Sequence, residues 1–263
     1  MKLNKKLTSL CVLSLVACLA NATPNTTNSA TQPTSSVFTP EQNSAIDEQV
    51  QKYLSNNPKA VVDALVNYRE QEVKRMESNT QTAVTKNAKD ILGNTSAPTL
   101  GNPNGNVILV EFLDYQCGHC KKMTSTIKSL IEQNKNLKVI VKELPILGES
   151  STYAAKVALA ANQQGKFAEV HNALLNTNER LNNENIEKIT REQGADWSLI
   201  QVAIQNATID SELDKVFNIA QQLNIMGTPA FIISDLSGKN NRYFGGAASQ
   251  EAMQQTINTI NQN

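Results

Sequence analysis

A buried strand that runs straight into two cysteines three residues apart limits this chain more than any other feature. Residues 106–123 read Asn-Val-Ile-Leu-Val-Glu-Phe-Leu-Asp-Tyr-Gln-Cys-Gly-His-Cys-Lys-Lys-Met. The β-branched, apolar run from Val107 to Val110, with Phe112 and Leu113 after it, predicts a buried strand. A short polar break follows, and Cys117 and Cys120 open a predicted helix. Residues three apart on a helix share a face, about 5–6 Å apart at Cβ, a span that a disulfide closes with little backbone movement. In the first turn, unpaired backbone N–H groups and the positive end of the helix dipole favour thiolate over thiol. Cys117 is therefore the expected nucleophile and Cys120, one turn deeper, the resolving thiol. Between them, His119 tunes the couple by charge or hydrogen bonding to the thiolate.

Other uses of a Cys pair fit less well. A structural disulfide closing so short a loop gains little from chain entropy. A zinc site needs a second pair of ligands, and outside the first twenty residues the chain offers no further Cys and only His171 besides His119. A c-type haem site requires His after the second Cys, where Lys121 stands. Neither a metal nor a cofactor is expected.

The first residues read as an export signal. Lys2, Lys5 and Lys6 precede an uncharged apolar run from Leu7 to Ala20, too short to span a membrane comfortably. Two processing sites are present: Ala20-Asn21-Ala22 for ordinary signal cleavage, within a leader of residues 1–22, and Leu15-Val16-Ala17-Cys18, which resembles a bacterial lipobox and would leave Cys18 lipid-modified. Association with a membrane is expected only in the second case. Cys11 and Cys18 both fall in the leader, so Cys117 and Cys120 are the only thiols of the processed chain free to react. An exported protein with a single Cys pair does not hold itself together by disulfides; it makes or rearranges them in other exported proteins, in an oxidising compartment such as the periplasm. Charge is balanced at 24 basic and 24 acidic residues, and loss of the three leader lysines leaves 21 against 24. No basic block points to nucleic acid.

Residues 23–39 are Thr, Asn, Ser, Pro and Gln with little to bury, the composition of a flexible linker. From Pro40 to residue 92 the pattern is helical. Thr39-Pro40-Glu41-Gln42 supplies an N-cap, a proline in the first turn and a capping-box Gln. Ile46, Val50 and Leu54 recur at helical spacing, Asn57-Pro58 starts a second helix, and Val61, Val62, Leu65, Val66 and Tyr68 give it an apolar stripe. Such a stripe is buried either on its own domain or in a homodimer; the long polar continuation favours a dimerising stalk. Gly93 to Gly105, rich in Gly and Pro, reads as the boundary to a catalytic domain at 98–263.

In that domain the Cys-x-x-Cys helix is followed by a strand from Leu137 to Glu143 and a helical block from Ser151 to about Leu223, broken at Gly165 and Gly194. A Gly227-Thr228-Pro229 turn into a strand, a hairpin at Ser237-Gly238-Lys239-Asn240 and a closing helix complete it. The class is α/β. This order, with Tyr115-Gln-Cys-Gly-His-Cys at the strand end and Gly227-Thr-Pro-Ala-Phe about a hundred residues on, resembles the thioredoxin-like DsbA family over about residues 98–262. With its leader and N-terminal helices the chain is similar to the dimeric, outer-membrane-associated immunogenic DsbA-like proteins of Gram-negative bacteria.

The resemblance implies a thioredoxin-like fold with a helical insertion at about 151–217. It also implies thiol:disulfide oxidoreductase or isomerase activity on exported proteins and exchange with a membrane redox partner. It makes Pro229 a cis-proline lying against the Cys pair, with Gly227 and Thr228 beside it to contact an extended substrate; otherwise the segment is an ordinary turn before a strand. Gly-His between the cysteines and Thr before the proline depart from the best-known oxidase of the family, which has Pro-His and Val, and point away from a purely oxidising role. Glu111 falls where the family keeps a buried acid beneath the disulfide, and Lys142 on the next strand is its candidate partner; strand alternation leaves a solvent-facing Glu111 open. His171, Trp197 and Tyr153 read as packing. The competing function is a surface-associated binding protein with a thioredoxin fold and an incidental disulfide.

Overall fold

A computed structural model describes residues 37–93 and 97–262. The leader, with both processing sites and Cys18, and most of the linker lie outside the described residues. The chain divides into two compact units at Pro58–Lys59.

The first unit contains α1 (Pro40–Asn56), which starts as the sequence predicts. The Thr39 side chain accepts from the Gln42 N–H while the Gln42 side chain accepts from the Thr39 N–H, closing a capping box with Pro40 in the first turn. Ile46, Val50, Tyr53 and Leu54 stay exposed along α1.

The second unit begins within α2 (Pro58–Lys86) and continues through α3 (Ala88–Leu92). Sequence alone assigned residues 40–92 to one segment, with the boundary at the Gly/Pro-rich stretch. The compact units divide at Pro58, and within the second unit Thr80, Val84, Ala88 and Ile91 are buried, Val84 and Ile91 in a core shared with the sheet. The Gly/Pro stretch also holds a short strand, β1 (Thr99–Gly101), too brief to give a periodic signal.

The sheet has the order β1-β3-β2-β4-β5. β2 (Val107–Leu113) and β3 (Leu137–Glu143) are parallel at its centre; β4 (Ala230–Asp235) runs antiparallel to β2, and β5 (Asn241–Phe244) pairs with β4. All seven residues of β2 are buried, which explains its unbroken apolar run. Val107, Leu109 and Leu113 face one core with α4 (Gly118–Gln133) and the closing helix α10 (Gln250–Asn261). Ile108, Val110 and Phe112 face the other, with Val84, Ile91 and the end of α9 (Ala207–Gln222).

Between β3 and β4 lie α5 (Glu149–Asn162), α6 (Phe167–Asn176), α7 (Asn183–Glu192), α8 (Trp197–Ala203) and α9, the expected insertion. Gly165 and Gly194 end helices at positive φ. Gly238 has φ +71° in the β4–β5 turn and a Cβ there would strike Ala88, so this glycine lets α3 close on the sheet.

Candidate active site

Cys117 is the N-cap of α4, with extended backbone (φ −71°, ψ 114°) and its carbonyl accepting from Lys121. The loop that delivers it is fixed by Asp114, whose carboxylate accepts from the Gln116, Ile146 and Leu147 N–H groups and from Ser151 Oγ. A carboxylate with four donors locks the β2–α4 junction to the start of α5.

Both cysteines are free thiols. Cys117 keeps 7% of its surface exposed and Cys120 none, so solvent or substrate meets the leading sulfur first. Cys117 Sγ donates to the Thr228 carbonyl at 3.1 Å, and the Thr228–Pro229 peptide bond is cis, as the resemblance implied. Burial pushes the Cys117 thiol up, but the Thr228 side chain, the Cys120 N–H and thiol and the His119 N–H outweigh it and hold its pKa below the ordinary cysteine value. The Thr228 carbonyl stabilises the neutral thiol; the N–H groups of the first helical turn stabilise the thiolate that replaces it. Burial pushes Cys120 far the other way, well above an ordinary thiol, with the nearby Cys117 adding to the shift. Two thiols whose acidities are driven apart carry different roles.

The other predicted residues are distributed as follows. His119 is exposed beside the pair and Gly118 has open space around it. Thr228 is half-buried, Pro229 buried and Gly227 exposed, with nothing near enough to require a glycine there. Glu111 is buried, on the sheet face that carries Leu109, Leu113 and the cysteines, and burial lifts its pKa to about 8. The solvent-facing alternative for Glu111 is therefore excluded. A cavity of about 600 Å³ between α4, α6 and β1 reaches it and His171.

Lys142 is not brought to this place. In the parallel register Glu111 pairs with Val141, so Lys142, level with Phe112, points through the opposite face. Its buried ammonium makes no hydrogen bond, and burial lowers its pKa to about 8 against a weaker opposing pull from Glu212. The expected Glu111–Lys142 pair is corrected on that ground: adjacent strands put the two residues one step out of phase.

The ionisable residue on Glu111's face of β3 is Glu143, level with Leu113 and two residues past Val141. Tyr115 donates to Glu143 Oε1 at 2.8 Å, and its oxygen lies 3.0 Å from His171 Nδ1. If Tyr115 gives its proton to Glu143, Nδ1 is the protonated nitrogen of His171. Burial raises the Glu143 carboxyl well above the usual range, helped by Glu111 and Asp114, and lowers His171 to about 4. His171 also stacks on Phe167, with 5.0 Å between ring centroids. The sequence pattern accounts for His171 only as packing and gives Glu143 no role; the one local signal for it is a Glu at the end of a predicted buried strand.

A five-stranded sheet carrying a Cys-x-x-Cys helix against a cis-proline loop defines the class, the thioredoxin-fold thiol:disulfide oxidoreductases. The model of the DSBA-like thioredoxin domain matches residues 108–258, and the chain belongs to that family. Two solved structures are similar at 31% identity. One is a thioredoxin-like oxidoreductase from Silicibacter pomeroyi DSS-3 (TM-score 0.62, 66% of this chain and 98% of that one). The other is the thiol-disulfide exchange protein alpha-DsbA2 from Wolbachia pipientis (TM-score 0.63, 70% and 97%). BcfH of Salmonella enterica Typhimurium shares the fold at 23% identity over 84% of this chain and 96% of its own (TM-score 0.66). A curated relative, the Na(+)/H(+) antiporter NhaA 3 of Salinispora tropica, is 22% identical over 130 residues; the match spans 49% of this chain but only 20% of that protein. Among the described residues no helix is long and apolar enough to cross a membrane.

Proposed function

We propose that this chain exchanges disulfides with exported, cysteine-containing proteins in the periplasm through Cys117 and Cys120. The observation that carries the reading is the split between the two thiols: one acidified and still reachable through the 7% of its surface left exposed, the other fully buried and protonated. As the dithiol, the Cys117 thiolate attacks a substrate disulfide, forming a mixed disulfide and releasing one substrate thiolate. Cys120, once deprotonated, attacks Cys117 Sγ and releases the second, so two electrons pass to the substrate and the enzyme leaves as its disulfide. In reverse, a substrate dithiol is oxidised; where the mixed disulfide is resolved by another substrate thiol, the bond is isomerised. Glu111, with a pKa near 8, is protonated in most molecules at neutral pH, and it is the smaller carboxylate fraction that takes up the Cys120 proton. Thr228 and Pro229 guide the substrate backbone past Cys117, and a membrane redox partner resets the couple.

Self-association is part of the proposal. Ile46, Val50, Tyr53 and Leu54 on α1, and Val61, Val62, Leu65 and Val66 on the first half of α2, leave apolar surface that a second copy would cover. A chain lacking residues 37–70 is expected to be monomeric in solution; a truncated dimer would contradict this use of the helices. The deletion stops there because the buried residues Thr80, Val84 and Ile91 lie beyond it. The activity itself is tested by reactivation of scrambled ribonuclease and reduction of insulin. The processed chain is expected to do at least one, Cys117→Ala neither; inactivity of the unaltered chain in both assays would refute the reading.

A further inference from the structure

The cavity of about 600 Å³ between α4, α6 and β1 has hydrocarbon walls from Ile127 and Ile131 of α4 and Leu175 of α6. Its inner end holds Glu111 and His171, 2% and 3% exposed, and the exposed side chains of Ser125 and Asn172 stand at its mouth. Neither Cys117 nor the cis-proline loop lines it, so it is separate from the path of a substrate polypeptide. We propose that this cavity binds an uncharged, largely apolar small molecule through a hydroxyl head, and that the occupant slows the resolving step at Cys120. The site stands apart from the thiol-exchange reading; the effect on Cys120 rests on it.

Three observations converge. First, the inner end presents two polar groups that lack partners. Among the described residues the Glu111 carboxyl makes no hydrogen bond, and burial alone lifts its pKa to about 8, so at neutral pH it is mostly a protonated acid that can donate and accept. His171 engages Tyr115 through Nδ1 at 3.0 Å, and burial keeps the ring neutral, with a pKa of about 4. With the proton on Nδ1, Nε2 is left as an acceptor. Both residues open onto the cavity, unlike Glu143 Oε2, which is enclosed by protein. Groups so deeply buried are ordinarily satisfied. A hydroxyl answers both, donating to His171 Nε2 and accepting from the Glu111 carboxyl.

Second, the surroundings disfavour a charged head. It would lose its water beside two groups that are both uncharged and offer no counter-ion. An ammonium could be met only by ionising Glu111, which burial opposes. Third, the volume falls within the range of about 300–1,000 Å³ usual for small-molecule sites, and the walls suit an apolar body. A hydroxyl bonded to the protonated Glu111 holds that proton in place. The carboxylate fraction that serves Cys120 then shrinks, and the mixed disulfide lasts longer.

The test uses the processed full-length chain and 4-propylphenol. Two controls are 4-propylanisole, which has no hydroxyl to donate, and 4-propylbenzylamine, which carries a cation. Binding is followed by calorimetry and by shifts of the Ile127, Ile131 and Leu175 methyl resonances. The phenol is expected to bind about tenfold more tightly than the anisole, equivalent to roughly 1.4 kcal/mol. In single-turnover reduction of a peptide disulfide, saturating phenol should slow decay of the mixed disulfide about threefold, the loss of carboxylate that a half-unit rise in the Glu111 pKa brings. Ser125→Trp and Asn172→Trp add bulk at exposed positions of the mouth. Folding and exchange without the phenol should be unchanged in both, while binding and slowing are lost. Absence of the methyl shifts, equal binding of phenol and anisole, tighter binding of the amine, or full binding in both Trp variants would overturn the site. Binding without slowing would overturn the link to Cys120. Failure of exchange in the absence of any phenol would overturn the functional reading instead, and the binding results would still decide the cavity.

Discussion

The sulfur of Cys117 lies 3.1 Å from the carbonyl oxygen of Thr228, a residue 111 positions further along the chain. This contact joins the first turn of α4 to the loop before β4, and Thr228 bears on the sulfur through its side chain as well as its backbone. Thr228→Val keeps the carbonyl and deletes the hydroxyl. The Cys117 pKa is expected to rise by about one unit, the size of a lost hydrogen bond to a charged group, when followed by thiolate absorbance in a Cys120→Ser background.

Glu111 carries a stability cost that depends on pH. Its pKa is about 8 in the folded chain against 4.5 for an ordinary Glu, because burial disfavours the charge. Between those values the folded state holds a proton that the unfolded state has released, so stability falls as pH rises through that window. Glu111→Gln should match the unaltered protein near pH 4 and exceed it above pH 8 by on the order of 5 kcal/mol. Urea midpoints at the two pH values measure this; a difference independent of pH would contradict it.

Lys142 titrates in the opposite sense. Burial lowers its pKa from 10.5 to about 8, so the cost of the buried ammonium is fully present below pH 8 and disappears above about 10.5. Lys142→Met is expected to stabilise the fold at pH 7 by about 1–3 kcal/mol, with the advantage shrinking as pH climbs past 8. Because Lys142 faces away from the cysteines, the exchange rate should not change, and the two results together separate its place in the core from a part in the chemistry.

Tyr115 bridges Glu143 and His171 in a buried network. Tyr115→Phe leaves both partners without this hydrogen bond and is expected to cost about 1–3 kcal/mol. Thermal or urea unfolding reads that loss directly.

Much of this arrangement was legible in the residues. The β2 run, the capping box at Thr39, the glycine breaks at 165 and 194 and the Cys-x-x-Cys helix each obey a local rule, so local reading found them. The cis bond before Pro229 came from family resemblance and not from spacing. What escaped was set by register and tertiary packing. Lys142 and Glu111 sit on neighbouring strands, but which residue of β3 lies beside Glu111 depends on strand alignment, and a shift of one residue exchanges faces. Strand β1 has three residues and no period to detect. The second half of α2 is polar by composition, yet Thr80 and Val84 lie buried on the sheet; only two inward contacts were needed, too few to show as a stripe. The Tyr115–Glu143–His171 network draws on three separate elements, and nothing local to any one of them announces the others.

The central claim is that the two thiols, three residues apart, differ sharply in acidity and access. Brief treatment of the dithiol with iodoacetamide at pH 7, followed by peptide mapping, tests it most directly. The account predicts that Cys117 is alkylated at least about a hundredfold faster than Cys120, in keeping with a thiolate at the helix start and a protonated thiol beneath it. Equal labelling of the two, or labelling of Cys120 first, would contradict it.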